Sequence, residues 1–105
     1  MKTIQLNYKI SGIKIEIPFS AVCSIINNDF CGFIVIEYRP DRKILDYVTL
    51  EQKISLITKK PTIAEDLAKD IFNEITKAIS PKKLKVLVDV RRSSTHQPVQ
   101  VWIEK

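Results

Sequence analysis

Glycine is almost missing from this chain. Its 105 residues contain only Gly12 and Gly32, too far apart to form a phosphate-cradling loop or a dinucleotide fingerprint, which need several glycines in one turn. P-loop and Rossmann-type nucleotide binding are excluded on that ground. Cysteine is equally scarce. Cys23 and Cys31 are too few for a disulfide scaffold and are not spaced like the close pairs of a zinc knuckle or ribbon. A reduced thiol is the expectation. The single histidine, His96, has no second imidazole with which to hold a metal, so it is expected at the surface and no metal site is proposed. No window approaches the roughly 20 apolar residues that cross a bilayer, and residues 1–9 hold no apolar run of signal-peptide length. A soluble, unexported, cytoplasmic protein is expected.

What is present suits one small domain covering residues 1–105. Apolar residues make up 45% of the chain, enough for a modest core. Lys and Arg outnumber Asp and Glu by 17 to 12, a formal charge of +5. That balance favours polyanionic partners, although a lysine-rich surface also produces it.

Hydrophobic periodicity predicts the elements. Residues 4–8 (IQLNY) and 13–17 (IKIEI) alternate apolar and polar side chains on either side of Ser11-Gly12, the pattern of an N-terminal hairpin. Residues 33–39 (FIVIEYR) form a β-rich run, and Pro40-Asp41 turns it into a weaker strand over residues 43–47, a second hairpin. Thr49 with Gln52, and Thr62 with Glu65, have capping-box spacing and predict two helices, the first ending before Pro61. In the second, Ile63, Leu67, Ile71, Ile75 and Ile79 recur every fourth residue and form one buried stripe, which Pro81 ends. Leu84, Val86, Val88, Val90 and then Val99, Val101, Ile103 alternate as two closing strands around a polar connection over residues 93–98. The order from Gly32 onward is β-β-α-α-β-β, an α+β domain with two helices on one face of an antiparallel sheet and open strand edges that oligomerisation would cover.

Three residues invite chemistry. Cys23 lies in residues 18–28 (PFSAVCSIINN), a predicted connection, where a thiolate could attack electrophilic carbon with Asp29 folded back as a proton shuttle. Packing as a small hydrophobe beside Val22 and Ile25 is the competing role. Cys31, abutting a β run, is assigned to structure. Glu65 either caps its own helix or uses its carboxylate to accept two N–H bonds from the amide edge of a guanine-like ring.

These stretches together resemble the tunnelling-fold (T-fold) superfamily and, within it, the QueF and QueF-like enzymes. Val22-Cys23 followed by Asp29-Phe30 resembles the nucleophile loop, Ile36 to Asp41 the tyrosine-x-proline hairpin, and Glu65-Asp66 the helix start that carries a base-binding glutamate; the likeness covers roughly residues 20–104. It implies covalent chemistry on 7-cyano-7-deazaguanine. Cys23 would add to the nitrile carbon to give a thioimide, Asp29 would protonate the nitrogen, and Glu65 would hold the base. It also implies a homo-oligomeric ring, with stacked pentamers among the arrangements. The Cys23–Asp29 interval is one residue shorter than the family's, Ala64 replaces a frequent histidine, and Leu56 and Thr58 replace a serine and an arginine of the reductases.

The chemistry then divides. Reductases of the family bind NADPH through a Glu-x-Lys-x-x-Lys type motif, and residues 45–53 (LDYVTLEQK) keep neither that glutamate nor the paired lysines in register. In the QueF-like branch, ammonia attacks the thioimide and leaves the amidine of archaeosine in tRNA without any cofactor. The sequence fits that branch better, with Lys59, Lys60, Arg91 and Arg92 as candidate tRNA phosphate contacts. The alternatives are a divergent NADPH-dependent reductase and a non-catalytic RNA-binding or assembly protein of the same fold.

Overall fold

A computed structural model describes residues 1–93 and 97–105; His96 and the middle of the 93–98 connection lie outside them. The elements are β1 (Thr3–Gln5), β2 (Ile13–Val22), β3 (Asp29–Arg39), β4 (Lys43–Leu45), α1 (Tyr47–Thr58), α2 (Ala64–Ile79), β5 (Lys83–Ser93) and β6 (Val99–Glu104). Strands β2-β3-β5-β6 form one antiparallel sheet in that order. Because side chains alternate along each strand, one row from each faces the helices: Ile17, Phe19 and Ala21, then Phe30, Ile34, Ile36 and Tyr38, then Leu84, Val86, Val88 and Val90. Against them α2 lays Leu67, Ala68, Ile71, Ile75 and Ile79, and α1 lays Leu50 and Ile54. The α+β architecture and the amphipathic stripe of α2 are as predicted.

The two predicted hairpins are not formed. β1 pairs with β4, through Thr3↔Leu45, Ile4↔Ile44 and Gln5↔Lys43, and not with β2. β4 in turn leaves the sheet and does not fold back on β3. Burial explains both. The alternating run that begins at Ile13 continues to Val22 and pairs along its whole length with β3, from Ile13↔Tyr38 to Val22↔Asp29. Beyond the Pro40 turn the chain drops to the helix side, where Leu45 is fully buried, and β1 supplies the backbone partners that β4 would otherwise lack. Much of the predicted connection 18–28 is therefore strand. Pro18 is tolerated there because β2 is a sheet edge.

Both helix starts also differ in their caps. α1 begins earlier than the Thr49–Gln52 pattern suggests, because Asp46 is the N-cap and its carboxylate accepts from Thr49 N–H at 3.0 Å. α2 is entered through Ile63 with no side-chain cap, so Thr62 and Glu65 do not form a capping box. At its far end Ser80 turns left-handed, φ 42°, and donates its N–H to Thr76 O before Pro81.

A bulge interrupts the β3–β5 ladder between Cys31 and Gly32: Cys31 faces Arg92, Gly32 faces Val90, and Arg91 is the extra residue. Gly32 permits the close approach. A Cβ there would stand 1.9 Å from Asp89 O and 2.9 Å from Arg91 N, both backbone atoms that cannot swing aside. Gly32→Ala is expected to lower stability by about 2–3 kcal/mol, the usual cost of overpacking, measured by urea denaturation.

Tyr38 ties the sheet to β4, its buried hydroxyl accepting from Leu45 N–H at 3.1 Å. Burial raises its pKa above the ordinary tyrosine value; the Leu45 bond works against that shift and Tyr47 adds slightly to it. The unfolded chain therefore ionises first as pH rises, so stability present below about pH 10 is lost on approach to the folded value. Denaturation curves recorded from pH 8 to 11 are expected to show this loss, and Tyr38→Phe to reduce it.

Candidate active site

The β2–β3 connection closes tightly on Cys23. Cys23 N–H donates to Asn28 O at 2.9 Å, and Asn27 N–H donates to Cys23 O at 2.9 Å. Asn27 adopts the left-handed conformation, φ 61°, that asparagine tolerates better than most residues. The hairpin tip is then fastened to the segment that leads into α2. Thr62 N–H donates to Val22 O at 2.8 Å and Ser24 N–H to Thr62 O at 2.9 Å, a one-residue parallel bridge between Cys23 and Thr62.

This bridge brings the beginning of α2 beside the thiol. Cys23 and Glu65 line one concavity of about 350 Å³, walled by Ile25, Ile26, Phe30, Ile63, Ala64, Val90 and Val99, with Asn28 and Ser93 among its polar members. Phe30 is braced from behind by Phe19, edge to face with centroids 5.7 Å apart. The walls are mainly apolar with a few polar groups, the usual composition of a small-molecule site. Cys23 is a free, half-buried cysteine that lines the concavity and also packs against the edge of the core. Glu65 is exposed and makes no hydrogen bond or ion pair with any described residue. Its first-turn position places the carboxylate at the positive end of the α2 dipole. Ile25, Ile26 and Val99 form an exposed apolar rim.

Asp29 is placed differently. As the first residue of β3 it belongs to the row shared with Cys31 and Phe33, on the sheet face away from the helices, and it lines a neighbouring concavity with Ser20, Cys31 and Arg92. The two concavities share Asn28, Phe30 and Ser93 as a common wall. Arg92 is exposed beside Asp29, whereas Arg91 donates through Nε to the buried Asp89 carboxylate at 2.8 Å. Lys59 and Lys60 are exposed at the end of α1, and Lys60 lines a groove between the helices with Thr62. Asn28 and Ser93 were missed as pocket residues. Asn28 reads in sequence only as a turn former, and Ser93 reaches the pocket at the end of the strand that the bulge shifts, for which Gly32 is the only sequence signal. Among the described residues no group of three His, Cys, Asp or Glu is gathered to hold a metal, and no helix is long and apolar enough to cross a membrane.

Comparison with known proteins converges on one family. A model of the GTP cyclohydrolase I family matches residues 4–97. An NADPH-dependent 7-cyano-7-deazaguanine reductase of Elusimicrobium minutum (strain Pei191) is 33% identical over 78 residues, 73% of this chain and 59% of that protein. One from Sulfurovum sp. (strain NBC37-1) is 24% identical over 91 residues, 85% of this chain and 73% of its own length. The chain thus spans a little over half to about three quarters of these relatives. The crystal structure of the archaeosine synthase QueF-Like in its apo form superposes with a TM-score of 0.78 at 21% identity, over 92% of this chain and 95% of that one. The chain belongs to the GTP cyclohydrolase I family and, within it, is related to the 7-cyano-7-deazaguanine reductases, and it has the fold of the QueF-Like archaeosine synthase structure.

Proposed function

We propose that this protein converts the nitrile of 7-cyano-7-deazaguanine, carried in tRNA, to an amidine with ammonia. The observation that carries the reading is the meeting of Cys23 and Glu65 in one apolar-walled pocket. Glu65 accepts two N–H bonds from the base edge, a charge-assisted pair that orients the ring. The Cys23 thiolate adds to the nitrile carbon, the breaking π bond places its electron pair on nitrogen, and a proton delivered there gives the thioimide. Asp29 supplies that proton. From the neighbouring concavity it delivers it past the shared Asn28–Ser93 wall, through a water. Ammonia then attacks the thioimide carbon, and collapse of the tetrahedral intermediate breaks the C–S bond, returning the thiolate and leaving the amidine.

No nicotinamide enters this scheme. The stretch that would carry the NADPH motif forms the end of β4 and the first half of α1, and its Asp46 is committed to capping that helix. The reductases named above favour a second reading, in which NADPH reduces the same thioimide; saturable NADPH binding would support it. The exposed rim of Ile25, Ile26 and Val99 and the free edges of β2 and β6 support assembly of copies into a ring.

Two measurements test the proposal. Cys23→Ala should fold with a loss of no more than about 1 kcal/mol, as expected for trimming one half-buried atom, checked by thermal denaturation. Intact-mass spectrometry after incubation with 7-cyano-7-deazaguanine, as free base and within tRNA, should then show an adduct of the base on the native chain and none on Cys23→Ala. Glu65→Gln should weaken adduct formation by about tenfold or more. Native mass spectra of the same samples read the assembly, and a monomer would rule out the ring. Absence of any adduct with either substrate would overturn the thioimide chemistry.

A further inference from the structure

The end of the sheet remote from Cys23 concentrates positive charge. Arg39 closes β3 and Lys83 opens β5, and the two are directly opposite in the ladder, on the sheet face away from the helices. Like charges so placed repel and cost stability. Lys82 is held alongside by its N–H bond to Arg39 O, and Lys105 by its N–H bond to Leu84 O. Lys14 and Lys85 join Arg39, Lys83 and Lys105 around a concavity of about 410 Å³. Glu37 stands opposite Lys14 and Lys85 in the ladder, and Glu104 opposite Lys85, without closing to an ion pair among the described residues, so the uncompensated charge is at Arg39, Lys82, Lys83 and Lys105. Lys85 is instead held with its ammonium 5.3 Å from the centroid of the Trp102 ring. By contrast, two lysines on the helix face, Lys53 and Lys69, are paired with Glu74 and Asp66.

We propose that this cluster binds the phosphate backbone of the RNA whose modified base enters the Cys23 pocket. An anion seated over Arg39 and Lys83 would relieve the repulsion between them. The spacing decides which anion. The pocket and the cluster lie at opposite ends of the 11-residue β3 and on opposite faces of the sheet, about 35 Å apart at strand rise, so neither the free base nor a mononucleotide reaches both, and a ligand that does must pass round the sheet edge. A polynucleotide can. The inference rests on the proposed function for the identity of the RNA and deepens it: the substrate is RNA, gripped far from the reacting nitrile.

The test is binding of a fluorescent tRNA transcript by anisotropy across a series of salt concentrations, with the double variant Arg39→Gln/Lys83→Gln against native protein and against Lys53→Gln/Lys69→Gln, which removes equal charge elsewhere. The platform variant should lose about tenfold in affinity and about 1–2 units in the slope of log affinity against log salt, since each lost phosphate contact is worth about 0.7–0.9 units. Its melting temperature should be unchanged or higher, because a repulsion is removed. The control variant should match native protein. A slope equal to native, or a loss of binding that tracks a changed sedimentation coefficient and so marks a contact between copies, overturns the proposal. Adduct formation with 7-cyano-7-deazaguanine, free or within tRNA, separates the two readings. If it fails with both in native protein while the salt slope still depends on Arg39 and Lys83, the nitrile chemistry falls and the cluster stands as an RNA contact; if adducts form while the Arg39→Gln/Lys83→Gln variant keeps a native salt slope, the cluster falls and the nitrile chemistry stands.

Discussion

Two backbone hydrogen bonds, Thr62 N–H to Val22 O and Ser24 N–H to Thr62 O, determine whether this molecule has a site at all. Without them the β2–β3 tip would be an ordinary exposed hairpin turn, and Glu65 an ordinary surface glutamate on a helix. With them, the residue that follows β2 and the first turn of α2 are held at one pocket rim, and Thr62, buried between them, cannot move without breaking both. The rest of the sheet serves this placement. Pairing of β2 with β3 fixes where the tip emerges, and the stripe of α2 against β5 and β6 fixes where the helix begins.

The same sheet separates chemical duties by parity. A residue and its strand neighbour point to opposite faces, so Phe30 faces the helices and walls the pocket, while Asp29 and Cys31 face away. Among the described residues, the bulge at Gly32 is the one place where that strict alternation is broken. It inserts Arg91 into β5, where the guanidinium binds the buried Asp89 carboxylate, and it shifts the strand end that carries Ser93 to the pocket and Arg92 to the neighbouring concavity. Arg91 is thereby occupied within the chain, which leaves Arg92 as the freer of the two arginines to meet a phosphate.

Much of this was legible in the residues. The four-residue recurrence from Leu67 to Ile79 specifies a one-faced helix, and the alternations through Val86 and Val101 specify half-buried strands; both hold because local pattern and burial agree. Cys23 and Glu65 were likewise marked out by residue type and position. The errors came where partners had to be chosen at a distance. Alternation in residues 4–8 says that a strand exists but not that it joins β4, a choice decided by the need to cover Leu45. The capping boxes failed for a related reason: Asp46 lay one turn earlier for α1, and the Thr62 backbone was already engaged by β2. Asp29 does lie close to Cys23, opposite Val22 in the ladder, but sequence distance carries no information about which side of the sheet its side chain occupies.

Holding a site through main-chain atoms has an evolutionary corollary. Amide and carbonyl groups are common to every residue but proline, which lacks only the N–H, so the bonds at positions 22, 24 and 62 do not depend on which side chains stand there. Selection on the pocket then needs to guard only the few side chains that line it.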